Sequence, residues 1–131
     1  MMERVICIFG EAGKGIFETF LPCHSLIELY EFLGNPPNES LGIAYAVQSI
    51  LFNHSVLFYR VDEEGSGVEK YRIGLEILEK KGESPAAICM PGVGDATLIE
   101  RVSEFCLKRG SLLVMNEKDF YDYVTTAVSS K

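Results

Sequence analysis

Two glycine-rich turns and two small clusters of reactive side chains are the places where this sequence can do chemistry. The first turn, Gly10-Glu11-Ala12-Gly13-Lys14-Gly15, follows the apolar run Val5-Ile6-Cys7-Ile8-Phe9. Bare glycine backbone beside a lysine is how phosphate loops hold an anion, and Gly13, Lys14 and Gly15 are the residues that would meet one here. The Walker pattern G-x-x-x-x-G-K-[ST] is incomplete, because Ile8 stands at its first glycine and Gly15 at its magnesium-binding hydroxyl. The dinucleotide pattern G-x-G-x-x-G is absent, and Ile16 to Pro22 makes a poor helix start. A flexible turn is the competing reading. The second turn is Pro91-Gly92-Val93-Gly94-Asp95-Ala96-Thr97. Gly92 and Gly94 can offer backbone N–H groups at a helix start, but Asp95 is a ready N-cap whose charge repels an anion.

The two clusters are weaker. Asp62-Glu63-Glu64 are consecutive, and consecutive carboxylates rarely converge on one cation, so they read as a solvated loop. Cys23-His24 are sequence neighbours, whereas nucleophile and base meet across a fold. No G-x-S-x-G elbow, C-x-x-C pair or zinc spacing occurs. No catalytic residue, metal ligand or cofactor is assigned, and an enzyme is not expected.

These turns need elements to hold them. Val5–Phe9, Val56–Val61, Ala86–Met90 and Leu112–Met115 are short, nearly continuous apolar runs, as in strands covered on both faces. Helical patterns lie between them. Ser25-Leu26-Ile27-Glu28 is a capping box, and its helix should stop at Gly34 before Pro36-Pro37. A second helix is expected from Asn38 to about Phe52. A third should follow the box Ser66-Gly67-Val68-Glu69, with Val68, Tyr71, Leu75 and Leu78 inward, and end at Lys80-Lys81-Gly82. A fourth should run from Asp95 to Arg109. A last one from near Asn116 should carry Phe120, Tyr123 and Val124 on one side and fray over 128–131. Strands alternating with helices imply right-handed parallel crossovers. The expected fold is a three-layer α/β/α domain over residues 1–131, with a four-stranded, mostly parallel sheet in the order 2-1-3-4.

At 131 residues and 14.6 kDa the chain is one domain's length. Its net charge of −7 and pI near 4.8 disfavour nucleic acid or an anionic membrane as partner. The six Tyr and eight Phe are spread over strands and helices, as core residues are. Cys7, Cys23, Cys89 and Cys106 lie far apart in apolar surroundings and read as small hydrophobes. Val5–Phe9 is too short for a signal-peptide core, and Leu41–Phe52 falls short of the roughly 18 apolar residues of a membrane span. A cytoplasmic protein is expected.

Taken in order, the segments resemble the α/β part of contractile-phage tail sheath proteins. That family shows a strand, a G-x-A-x-x-G loop, a proline and then S-x-x-E-F-x-x-x-F-G. Gly10 to Gly15, Pro22, Ser25, Glu28 and Gly34 follow that pattern, and the closing aromatic falls on Phe32 as aromatic-x-Gly. Ala46-Val47-Gln48-Ser49-Ile50-Leu51-Phe52-Asn53 and Val56 to Val61 are similar to its A-V-x-x-F-F-x-N-G-G helix and the strand ending V-R-V. Ile73 to Leu78 and Ala86 to Gly92 resemble its G-L-x-x-L helix and its strand ending in Pro-Gly. The chain departs at His54-Ser55, which replace Gly-Gly, and at Asn116-Glu117, which replace Asp and its nearby Pro. Complete sheath proteins are several times longer and carry arms that add strands to neighbours. The resemblance implies a structural assembly protein from a phage, prophage or contractile injection system. Its partners would be itself or another tail component, and it would be virion-associated after assembly. Two alternatives stand beside it: a small ligand-binding protein or enzyme using Gly10–Gly15 and Pro91–Asp95, and a partner-binding remnant of a sheath gene that does not self-assemble.

Overall fold

The structure, a computed structural model, describes residues 4–129. Its elements are β1 (Val5–Gly10), β2 (Phe20–Cys23), α1 (Leu26–Leu33), α2 (Gly42–Leu51), β3 (Ser55–Arg60), α3 (Val68–Lys81), β4 (Ala87–Cys89), α4 (Ala96–Arg109), β5 (Leu112–Val114) and α5 (Glu117–Ser129). They form one sheet in the order β2-β3-β1-β4-β5. β1 runs parallel to β3 and β4, and β4 parallel to β5, so the four expected strands take the expected order. The sheet nevertheless has five strands rather than four. Phe20–Cys23 pairs antiparallel with β3 and closes that edge. Pro22 lacks an N–H and sits in this edge strand, the position where a sheet tolerates proline.

Strand alternation divides the core between the two faces. Ile6 and Ile8 of β1 join Leu29 and Leu33 of α1 and Ile43 and Ala46 of α2. Cys7 and Phe9 join Tyr71, Leu75 and Leu78 of α3 and Leu98, Val102 and Phe105 of α4. Helices therefore cover both faces, which is why the strands read as unbroken apolar runs. Phe9 is the centre of the second cluster, edge-on to Phe20 at 5.5 Å, tilted against Tyr59 at 4.9 Å and stacked on Tyr71 at 5.8 Å. Gly74 lets α3 lie against these rings, since a methyl group there would come within 2.5 Å of the Phe9 ring.

Helix ends separate local from distant capping. The Ser25 hydroxyl accepts from the Glu28 N–H at 3.1 Å, and Glu28 accepts in turn from the His24 N–H at 2.7 Å. Asp95 caps α4 by accepting from the Leu98 N–H at 2.8 Å. Three expectations need correction. α2 begins at Gly42, not Asn38, because Glu39 is left-handed (φ 64°) and Ser40 folds back onto the Pro37 carbonyl. The Ser66 box does not form: Gly67 is the N-cap at φ 73° without a side-chain bond, and Val68 is exposed. In α5, Phe120 and Val124 are exposed, Tyr123 packs on the core, and Asp119 turns inward. Of the expected frayed tail, α5 reaches Ser129, and residues 130 and 131 lie outside the described residues.

Candidate functional site

In open α/β sheets, ligands bind beyond the carboxyl ends of the strands. Here both glycine-rich turns meet at that end, with the 62–65 loop wedged between them. The Glu64 carboxylate accepts three backbone N–H groups: Glu11 at 2.9 Å, Leu41 at 2.8 Å and Gly42 at 2.9 Å. It sits at the N-terminus of α2, where the helix dipole favours negative charge. Glu11 answers by accepting from the Glu64 N–H at 3.0 Å. The approach depends on Gly10 and Gly42, since a methyl on either would lie 2.8 Å from the other's Cα. Glu64 is thus a strut rather than part of a solvated acidic loop. Its neighbour Asp62 pairs with Lys70 at 2.8 Å near the surface.

The expected anion residues of the first turn face elsewhere. Gly13 abuts the end of α1, where an added methyl would meet the Asn35 carbonyl at 2.6 Å. The Lys14 N–H donates to the Leu33 carbonyl at 3.0 Å, and its side chain runs past Gly34. The Gly15 carbonyl accepts from Arg60 Nη1 at 2.7 Å, and that guanidinium lies 4.3 Å from the Phe17 ring.

A second carboxylate fills the other turn. The Gly92 N–H donates to Asp119 Oδ2 at 2.8 Å, and the Asp119 N–H donates to Asn116 Oδ1 at 2.7 Å. Only 3% of Asp119 is exposed, and burial raises its carboxyl pKa above the ordinary value, partly opposed by the Gly92 bond and by Lys118. Gly92 packs against the Glu64-Gly65 backbone, and Gly94 against Asp122 of α5. The Gly65 N–H donates to the Tyr71 hydroxyl at 2.8 Å. Burial pushes the Tyr71 pKa up to about 12, so it remains a neutral phenol. The two turns are brought together, and the N–H groups of Glu11 and Gly92 already donate to side chains of the chain itself.

The remaining reactive groups do not form a nucleophile site. All four cysteines are free and buried. Burial pushes Cys7 up to about 12 and Cys23, Cys89 and Cys106 up to about 11, so each stays a thiol at neutral pH. Cys23 faces the Leu21 carbonyl, and the His24 Nδ1 lies 2.8 Å from the Ser55 hydroxyl. Among the described residues, no group of three or more His, Cys, Asp or Glu can hold a metal ion. No helix among them is long and apolar enough to cross a membrane.

The feature that sequence reading missed is a difference between the two helix layers. α3 carries seven charged residues in 14 and α4 carries five in 14. α1 carries two in eight, and α2, GIAYAVQSIL, carries none in ten. A helix without a charged face is normally well covered, yet only Gly42, Ile43 and Ala46 of α2 are buried. A groove of about 590 Å³ lies between α1, the Pro36-Pro37 turn and α2. On the other flank of α2, a hollow of about 270 Å³ is lined by the buried strand residues Ile6, Ala87 and Cys89 and by the exposed Val114. The absence of charge from 41 to 53 was the signal available in the sequence. Comparison with family models, curated proteins and solved structures gives no match to this chain.

Proposed function

We propose that this chain is a structural, protein-assembling domain of the tail-sheath type, made in the cytoplasm and joined to a particle through protein contacts. The observation that carries the reading is the charge-poor, partly uncovered layer of α1 and α2, in which α2 has no charged residue and α1 has two. Large apolar side chains exposed together mark surfaces that other proteins cover. The sheet end supports it too. The turns that would serve a small ligand are cross-linked by Glu64 and Asp119, and the glycines there serve close backbone approach. The ordered resemblance of the segments to the sheath family supplies the kind of assembly, with the chain itself or another tail component as partner.

Light scattering coupled to size exclusion, over a concentration series with negative-stain imaging, tests the reading. Mass above 14.6 kDa that grows with concentration, or rings and tubes on the grid, is the expected result. A monomer at every concentration, alone and mixed with a tail component, would overturn it.

A further inference from the structure

We infer that the groove between α1 and α2 receives a basic amphipathic helix of another protein; this rests on the assembly reading and names the chemistry of the partner. Leu29, Ile43 and Val47 give the groove an apolar floor, and Ala44 and Tyr30, the latter 62% exposed, stand at its edges. The backbone groups of α1 and α2 are bonded within their own helices, and Pro36 and Pro37 beside the groove have no N–H to offer. An extended peptide would therefore find no ladder to join. The occupant must satisfy its own N–H and C=O groups, and a helix does so. A volume of about 590 Å³ takes apolar anchors spaced three and four apart on one helix face.

Charge selects the occupant. All 12 Lys and Arg lie in 1–14 and 60–131, whereas the stretch from 15 to 59 carries Glu18, Glu28, Glu31 and Glu39 and no Lys or Arg. Across the sheet the balance is reversed: α3 has four Lys or Arg against three Glu, and α4 has three against two. There Arg72 pairs with Glu69 and Glu76, and Arg101 with Glu79. Glu39 lines the groove, and Glu31 is exposed beside Tyr30. Glu28, which caps α1, adds its charge nearby. Lys14 passes Gly34 at the groove and offsets one of these three charges. What remains is an apolar cleft in a negative field. Such a cleft attracts cations flanking an apolar stripe and repels a second acidic copy presenting the same face.

The probe is a synthetic helix of about 14 residues, about 21 Å long, with leucine on one face and lysine on the other. The same peptide with glutamate in place of lysine is its control. Titration into the isotope-labelled full chain, followed by NMR, reads affinity and location together. The lysine peptide should bind saturably, shift the amide signals of Tyr30, Ala44 and Val47, and bind at least about tenfold more tightly than the glutamate peptide. Ala44→Lys, which obstructs the groove, and Glu31→Lys/Glu39→Lys, which reverses its rim, should each weaken binding about tenfold with an unchanged circular dichroism spectrum. Glu100→Lys, exposed on α4, should bind like the wild type. No binding, equal binding by every variant, shifts centred on α3 and α4, or no preference for lysine would overturn the inference. Groove shifts that follow the protein's own concentration without peptide would also overturn it, since a second copy would then be the occupant and the assembly reading would stand. Peptide bound in the groove of a chain that neither self-assembles nor joins a tail component would uphold the groove and overturn the assembly reading alone.

Discussion

Replacing Glu64 with alanine removes the side chain that ties three segments together at the end of the sheet. Its carboxylate accepts from Glu11, Leu41 and Gly42 at 2.8–2.9 Å. A hydrogen bond to a charged group contributes about 1.5–3 kcal/mol when its loss strands the partner. Leu41 is exposed and water replaces its bond, which leaves the part-buried Glu11 and the buried Gly42. Two bonds at the low end give about 3 kcal/mol, and charge at a helix N-terminus adds about 0.3–1 kcal/mol. Glu64 is itself only partly buried, so about 2–4 kcal/mol is expected, or roughly 10 °C in Tm for a chain this size. Glu64→Gln should lose most of this as well, because its amide nitrogen sets a donor against an N–H. Urea and thermal unfolding followed by circular dichroism measure both variants. Phosphate should raise the midpoint of Glu64→Ala more than that of the wild type, because only the variant leaves the N–H groups open to an anion. A Glu64→Ala variant within about 0.5 kcal/mol of the wild type, with no differential phosphate effect, would refute the strut.

Three further outcomes follow from the same geometry. Gly74→Ala places a methyl 2.5 Å from the Phe9 ring and 3.2 Å from Tyr59, both fully buried, and should cost about 2 kcal/mol in urea unfolding even after the helix gains propensity; unchanged stability would mean that α3 does not lie where the rings place it. The Asp119 pKa is raised on folding, so its contribution is fully present below the ordinary Asp value and is lost as pH rises through the folded value. Asp119→Asn mimics the protonated form, so its stability relative to the wild type should climb from pH 3 to 7 in paired urea titrations; a flat or falling difference would sink the assignment. The four buried thiols should react with an aromatic disulfide reagent only as the chain opens, sharing one slow rate that urea accelerates; a burst from one thiol without denaturant would contradict their burial.

What could be read from the residues divides by the range of the interaction. The four parallel strands were legible because a run such as Val5–Phe9 is apolar on both faces and five residues suffice to show it. The caps at Ser25 and Asp95 were legible because each acts within three residues of itself. β2 was hidden because four residues containing Pro22 look like a breaker, and only pairing with β3 makes them a strand. The start of α2 was misplaced because its capping carboxylate, Glu64, lies 22 residues from Gly42. The face of α5 was misassigned for the same reason, since Asp119 finds its donor 27 residues back at Gly92. Glycine pairing was the available clue: Gly10 with Gly42 and Gly65 with Gly92 are contacts that no other residue permits without displacement.

The likeness of Gly10–Gly15 to a phosphate loop then has a physical cause. A turn that ends a strand beside a helix N-terminus collects N–H groups that need an acceptor, whichever acceptor the protein uses. A nucleotide-binding protein leaves that need to its ligand. In this chain Glu64 meets it at one turn and Asp119 at the other, and both are tethered. A free anion must compete with a carboxylate held at high effective concentration and already making three bonds, which puts ordinary cellular phosphate at a disadvantage. The same struts join β1, α2, β3, β4 and α5 without a cofactor. A rigid sheet end of this kind holds α2 in register with the sheet, and α2 is the element whose uncharged outer stripe is left uncovered. Stiffness at one end of the helix and apolar exposure along it suit a surface that must meet another protein in a fixed orientation. Loosening the strut with Glu64→Ala should therefore weaken association at this face as well as stability, even though Glu64 lies outside the α2 stripe.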